Sequence, residues 1–178
     1  MIRDLLSEAD VVIAQNGDAF DVKKINTRLL LHRISPPDPY VTIDTKKVAK
    51  KYFWFNSYSL DDMGKDMDEG EKVKHRGFEM WKKCMAGDAK AWRDMKRYNV
   101  GDVDLLAKIY LRQRDWIANH PHVSSGLSCP RCGSVHLQGN GLRRSRAAIY
   151  NRYRCVDCGT ACQSIRPEPG TRHVVKPI

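Results

Sequence analysis

Between residues 88 and 116 the bulky apolar side chains recur every three or four positions with Arg and Lys between them. Trp92, Met95, Leu105, Leu106, Ile109 and Tyr110 therefore trace the buried stripe of one long helix. Asp88 stands where an N-cap belongs. Tyr98 and Asp102 lie four apart on this helix, so they leave it from one face, one turn above the other. Near the start of the chain the pattern changes. Residues 2–9 read as the end of an amphipathic helix, and 10–14 (Asp-Val-Val-Ile-Ala) as a short β-branched strand suited to a parallel sheet. A polar turn over 15–21 follows, then a helix with Val22, Ile25, Leu29 and Leu30 on its apolar side. Strand, polar turn and helix in that order place a site at the carboxyl end of a strand.

Prolines in 35–40 (Ser-Pro-Pro-Asp-Pro-Tyr) stop that helix and make a stiff connector. The next apolar run, 41–45, reads as a second strand whose Asp44 or Thr45 caps a helix from about Lys46; a cap is favoured for Asp44 over a catalytic role. Residues 57–63 begin a further short helix, 66–76 are charged and loop-like, and 77–85 are helical. The class is α/β with few strands.

Charge changes this picture at one place. The net charge is +10, and of the 31 Lys and Arg nine lie from Val123 onward against only two acidic residues. That surplus is the footprint expected of a phosphate-bearing partner. No apolar run approaches the ~20 residues of a membrane span, and the first residues lack the form of a signal peptide. The expected location is the cytoplasm.

Four of the six cysteines form Cys129-x2-Cys132 and Cys155-x2-Cys158, with 22 residues between the inner pair. In a cytosolic chain such pairs read as metal ligands before disulfides, and four thiolates make a closed tetrahedral zinc site. Cys84 reads as a core residue and Cys162 as a spare thiol. Between the knuckles run Arg143, Arg144, Arg146, Arg152 and Arg154 with two tyrosines, and alternation over 149–155 predicts hairpin strands. Arg clamps phosphate and Tyr stacks on bases, so a single strand of nucleic acid is the expected ligand, with a protein partner the competing one. The chain divides as 1–120, a linker 121–127, the module 128–164 and a basic tail 165–178.

Two motifs carry a resemblance. Asn16-x3-Phe20-Asp21 after a strand, and Tyr98-x3-Asp102 in a late helix, resemble the DnaQ-like 3′-5′ exonucleases of the ribonuclease H fold, of the type with a catalytic tyrosine. The segments 43–45, 59–63 and 74–81 are similar to landmarks of that family, the last to phage members. The cysteine module resembles the zinc ribbons of transposases and phage replication proteins. The resemblance implies two-metal hydrolysis with Mg²⁺ or Mn²⁺: Asp102 on the nucleophile side, Tyr98 orienting the water and Asp21 on the leaving-group side. Asn16 would line the 3′-terminal nucleotide pocket, with Phe20 beside it, or brace the strand end.

The family uses four acids, and its first pair, Asp-x-Glu on a leading strand, has no counterpart before Asn16; Asp4 and Glu8 lie on a helix. The expectation is accordingly an N-terminally incomplete ribonuclease H-like domain followed by a small zinc ribbon. It acts as a 3′-5′ exonuclease, or its C-terminal part, on single-stranded or 3′-ended DNA. The missing strands would come from another polypeptide, and a polymerase or replication protein is a candidate partner. The alternative is a non-catalytic nucleic-acid-binding protein on an exonuclease-like scaffold. If phage-encoded, it would work in the host cytoplasm.

Overall fold

The computed structural model describes residues 1–72, 77–121, 126–145 and 147–172. The chain forms two compact units, Met1–Asn119 and His120–Ile178.

In the first unit a short helix α1 (Ile2–Ser7) leads to strand β1 (Val11–Ala14), helix α2 (Asp21–Leu31), strand β2 (Val41–Asp44) and helix α3 (Thr45–Tyr52). The two strands pair in parallel, from Val11 opposite Val41 to Ala14 opposite Asp44, with α2 as the crossover. Both strands therefore end at the same side, and the turns that follow them meet there. Helices α4 (Leu60–Asp66), α5 (Phe78–Met85) and α6 (Ala89–Gln113) come next, and a 3-10 turn, Arg114–Trp116, ends the unit.

Local chemistry explains these boundaries. Ser59 caps α4 through the Asp62 amide, and the Asp88 carboxylate caps α6 through the amides of Lys90 and Ala91. The core follows from α6, whose Leu105 and Ile109 close over Ala49, Leu60 and Met63. Gly64 is required in this seam: a Cβ there would lie 2.6 Å from the Gly70 carbonyl and 3.0 Å from Leu105. Nearer its start, α6 packs Ala91 and Met95 onto Met80 and Cys84 of α5.

The expected stripe needs correction at its ends. Trp92 is 55% exposed and Leu30 on α2 is 77% exposed, while Leu106 and Tyr110 are half-buried. Among the described residues the early turns of α6 pack on the eight-residue α5, whose Met80 and Cys84 meet Ala91 and Met95 and leave Trp92 outward. The apolar run of β1 suits a buried strand, yet it is half-buried at all four positions, because among the described residues it has one strand neighbour.

The second unit is an antiparallel sheet of β3 (Leu137–Arg144), β4 (Ile149–Cys155) and β5 (Ala161–Gln163). The hydrophobic pattern does not announce the third strand; three residues are too few to show alternation. The tail expected from 165 also differs, since Glu168 N–H donates to the Ile149 carbonyl at 2.7 Å and Thr171 bonds the same residue, tying this segment back to β4. Most of the linker expected over 121–127, residues 173–178 of the tail, and Arg146 lie outside the described residues. Among the described residues no helix is long and apolar enough to cross a membrane.

Candidate active site and metal centre

The turns at the ends of β1 and β2 are organised by Asp44. Its side chain, on a residue only 4% exposed, accepts from the Lys46 amide at 3.1 Å and the Lys47 amide at 3.4 Å, which caps α3. The same carboxylate reaches across to the other turn and accepts from Asn16 N–H at 2.9 Å and Asp18 N–H at 3.4 Å. Asn16 adopts a left-handed backbone, φ 61°, which an Asn tolerates better than most residues and which aims its amide at Asp44. Thr45 and Gln15 add a second stitch: the Thr45 hydroxyl meets the Ala14 carbonyl and the Gln15 side chain, and Gln15 in turn donates to the Tyr58 carbonyl. Gly17 is sterically forced, for a Cβ there would sit 2.3 Å from that of Ala14.

Asp21 begins α2 and is exposed, and Phe20 beside it is 57% exposed with the Lys24 ammonium 5.8 Å from its ring. Asp18 pairs with Lys47 at 2.7 Å, and that hydrogen bond holds its carboxyl below the usual range.

On α6, Tyr98 and Asp102 face a partner that the sequence did not reveal. Lys72 places its ammonium 2.7 Å from Asp102 Oδ2 and donates to the Tyr98 hydroxyl at 2.8 Å, 5.0 Å from the centre of its ring. Its own backbone amide is anchored on Asp61 at 2.8 Å, and Asp61 pairs with Lys65. Burial is the largest influence on Lys72 and favours its neutral form, but the bonds to Asp102 and Tyr98 outweigh it and raise its pKa. Lys72 is 26 residues from Tyr98 in the chain and sits in a stretch read only as a charged loop. No periodicity links the two.

Asp102 Oδ1 is buried and, among the described residues, has no hydrogen-bond partner. An orphaned carboxylate oxygen is costly unless something binds it, and a hard divalent cation is the group such an oxygen suits. A single carboxylate with an ammonium 2.7 Å away is at most one ligand of such a site. Among the described residues the cysteine quartet is the one group of three or more His, Cys, Asp or Glu placed to share an ion. Neither Asp21 nor Asp102 belongs to such a group.

The four sulfurs of Cys129, Cys132, Cys155 and Cys158 lie within 4.8 Å of one another. Cys129 and Cys158 are 3.5 Å apart and Cys132 and Cys155 3.6 Å. A tetrahedral zinc with bonds of ~2.3 Å separates its sulfurs by roughly 3.8 Å, close to these two separations, so the quartet could hold zinc. Each knuckle turns on a glycine with positive φ, Gly133 at 77° and Gly159 at 74°. Ser134 and His136 from the first knuckle side both meet the Asp157 carboxylate of the second. Charge is crowded here. Burial works against ionising Cys158, yet the Thr160 hydroxyl and amide, helped by Cys132 and Cys129, bring its thiol down to about 6. Cys132 goes the other way, to about 12: the Ser134 amide favours its thiolate, but burial and three neighbouring cysteines outweigh that. One thiolate thus suppresses its neighbours, the condition a bound cation relieves. Cys162 is half-buried near this cluster and its thiol is pushed up, first by burial and then by those thiolates.

Strand register sorts the arginines. Arg143 lies opposite Tyr150, and Arg152 opposite Gln163, and Arg143 donates to the Gln163 side chain at 2.7 Å. Alternation along β4 then puts Arg143, Arg152 and Arg154 on one face with Tyr150, and Arg144 on the other.

Comparison with known proteins places the first unit. A family model described as the RNase H superfamily matches residues 1–113, ending at the last residue of α6. No curated protein and no solved structure matches the chain significantly.

Proposed function

We propose, for a chain that belongs to the RNase H superfamily through residues 1–113, that it hydrolyses nucleic acid as a 3′-5′ exonuclease or as the C-terminal part of one, with DNA the favoured substrate. Membership supports nuclease-like chemistry. The single observation that carries the finer reading is the buried Oδ1 of Asp102, without a hydrogen-bond partner among the described residues and one turn from the Tyr98 hydroxyl.

In this reading Asp102 holds a Mg²⁺ or Mn²⁺, and the Tyr98 hydroxyl accepts from and orients the attacking water. Asp21 serves the leaving-group side, where its exposure at the start of α2 leaves it open to a further polypeptide segment. The cation, when bound, supplies Lewis acidity at the scissile phosphate. Lys72 neutralises Asp102 otherwise, and has to release it. Asn16, held at the end of β1 by Asp44, would line the 3′-terminal nucleotide pocket, with Phe20 beside it. Further carboxylates are needed for a second cation, and a strand carrying Asp-x-Glu would supply them. The cysteine quartet holds one structural zinc, and the arginine face of the ribbon grips the strand.

A second reading has its own support: Lys72 already satisfies half of Asp102, as a lysine would in a binding protein that no longer cuts. A 3′-labelled and a 5′-labelled oligonucleotide incubated with Mn²⁺ separate the two. Trimming from the 3′ end that disappears in Asp102→Ala supports the enzyme. Oligonucleotide binding without trimming, in the chain alone and with a polypeptide supplying the acidic strand, supports the binding protein.

A further inference from the structure

Helix α3 carries four lysines and no acidic residue in eight positions. Its C-cap, Phe53, turns the chain into an extended conformation, φ −135° and ψ 162°. From there successive side chains alternate in direction. Phe53 and Phe55 turn inward, 5.8 Å apart, with Phe53 edge-on to Trp116 at 5.3 Å and Phe55 edge-on to Tyr58 at 6.2 Å. Trp54 between them turns outward and is 97% exposed. It is a large apolar surface with no packing duty, mounted between two anchored aromatic residues. Two exposed lysines precede it within a turn's length: Lys50, its ammonium 5.6 Å from the Tyr58 ring, and Lys51, 5.0 Å from the Tyr52 ring. Lys47, one turn earlier, is paired with Asp18.

We propose that Trp54, with Lys46, Lys50 and Lys51, forms a stacking platform for a single strand of nucleic acid, separate from the ribbon. The inference rests on the reading of the chain as a nucleic-acid-acting protein. Three features favour that occupant. The lysine cluster has positive charge with no acids among it, the complement of a phosphate backbone. The outward ring of Trp54 is flat and aromatic rather than aliphatic, and stacks on any base. The ring is held on a rigid stem, so little side-chain freedom is lost on binding. A protein partner comes second because the lysines beside Trp54 offer charge rather than an apolar rim, even with Trp116, 56% exposed, packed on Phe53.

The test uses the full zinc-loaded chain, a fluorescent oligothymidylate, and a salt series. Trp54→Ala should weaken binding roughly five- to tenfold, the loss of about one stacked base, without changing the salt slope. Trp54→Phe should restore part of it. Lys50→Ala with Lys51→Ala should flatten the slope of log K against log salt by roughly 0.7 for each phosphate no longer neutralised. Because Trp54 buries nothing, its variants should melt at the wild-type temperature, which keeps folding out of the result. Wild-type affinity in Trp54→Ala, with the wild-type chain still binding oligothymidylate, would overturn the platform and leave the proposed function standing. A wild-type chain that binds no oligothymidylate would overturn both. Loss of binding to phosphatidylserine vesicles in Trp54→Ala, with oligonucleotide affinity unchanged, would assign the surface to an anionic membrane instead.

Discussion

Lys72→Met gives the sharpest test of the Asp102 site. The ammonium lies 2.7 Å from Asp102 Oδ2, in a pair whose side chains are 30% and 20% exposed. Two unit charges at that distance attract by about 1.5 kcal/mol with the screening of bulk water and about 6 kcal/mol at an effective dielectric near 20. Exposure of a fifth to a third draws the net value toward the smaller figure. A cation that binds Asp102 has to displace this interaction, so removing it should tighten Mn²⁺ binding by about 1.5 kcal/mol, roughly tenfold. The same change leaves both carboxylate oxygens without a partner among the described residues of the metal-free protein. Its stability should fall by about 1–3 kcal/mol, and Mn²⁺ should restore it. The assay is Mn²⁺ titration of the zinc-loaded chain, by calorimetry and by the resonance signal of free Mn²⁺, alongside thermal melts. Affinity within twofold of wild type in Lys72→Met would refute the idea that Lys72 stands in the cation's way. Binding that persists in Asp102→Asn would remove Asp102 as the ligand.

Other outcomes follow from the same geometry. The pure chain should contain one zinc, and chelation should abolish protection of the strands in 126–172 from hydrogen exchange while leaving α6 protected. Asp44→Ala removes a cap and two cross-turn acceptors, and should cost about 2–4 kcal/mol in chemical denaturation, with Asp44→Asn recovering part of it. The ribbon face predicts that Arg143→Ala, Arg152→Ala and Arg154→Ala each lower the salt slope of oligonucleotide binding, whereas Arg144→Ala does not; equal effects at all four would reject the assignment. Tyr98→Phe should slow trimming with Mn²⁺ affinity kept. The Asp88 carboxyl is held below 3.8 first by the Ala91 amide and then by that of Lys90. A depressed folded pKa stabilises the helix above the unfolded value, and that contribution is lost as pH falls through the folded one. Circular dichroism of the wild type should therefore show an acid loss of helicity below pH 3.8 that is smaller in Asp88→Asn.

What the sequence disclosed and what it hid divide along physical lines. Asp44 and Asp88 were readable as caps because capping is decided within three residues. The two CxxC turns were equally local. Lys72 was hidden because its meeting with Asp102 depends on where a loop crosses a distant helix. The five arginines looked equivalent until cross-strand pairing separated Arg144 from Arg143, Arg152 and Arg154. Trp92 and Trp54 were hidden for a different reason. Hydrophobic spacing reports what a helix is able to bury, and exposure depends on which neighbour arrives to cover it.

The parallel pair β1–β2 has a consequence for how such a chain is handled. Among the described residues each of these strands keeps one flank of amide and carbonyl groups with no strand beside it. The flank of β1 runs along Val-Val-Ile-Ala, without a charge or a proline to discourage a neighbour. Four residues make a short template, which limits its reach. Even so, two copies at high concentration offer each other what a third strand would, and self-association should grow with concentration. A peptide that docks along β1 would suppress it, so turbidity during purification becomes a direct readout of whether that flank is occupied.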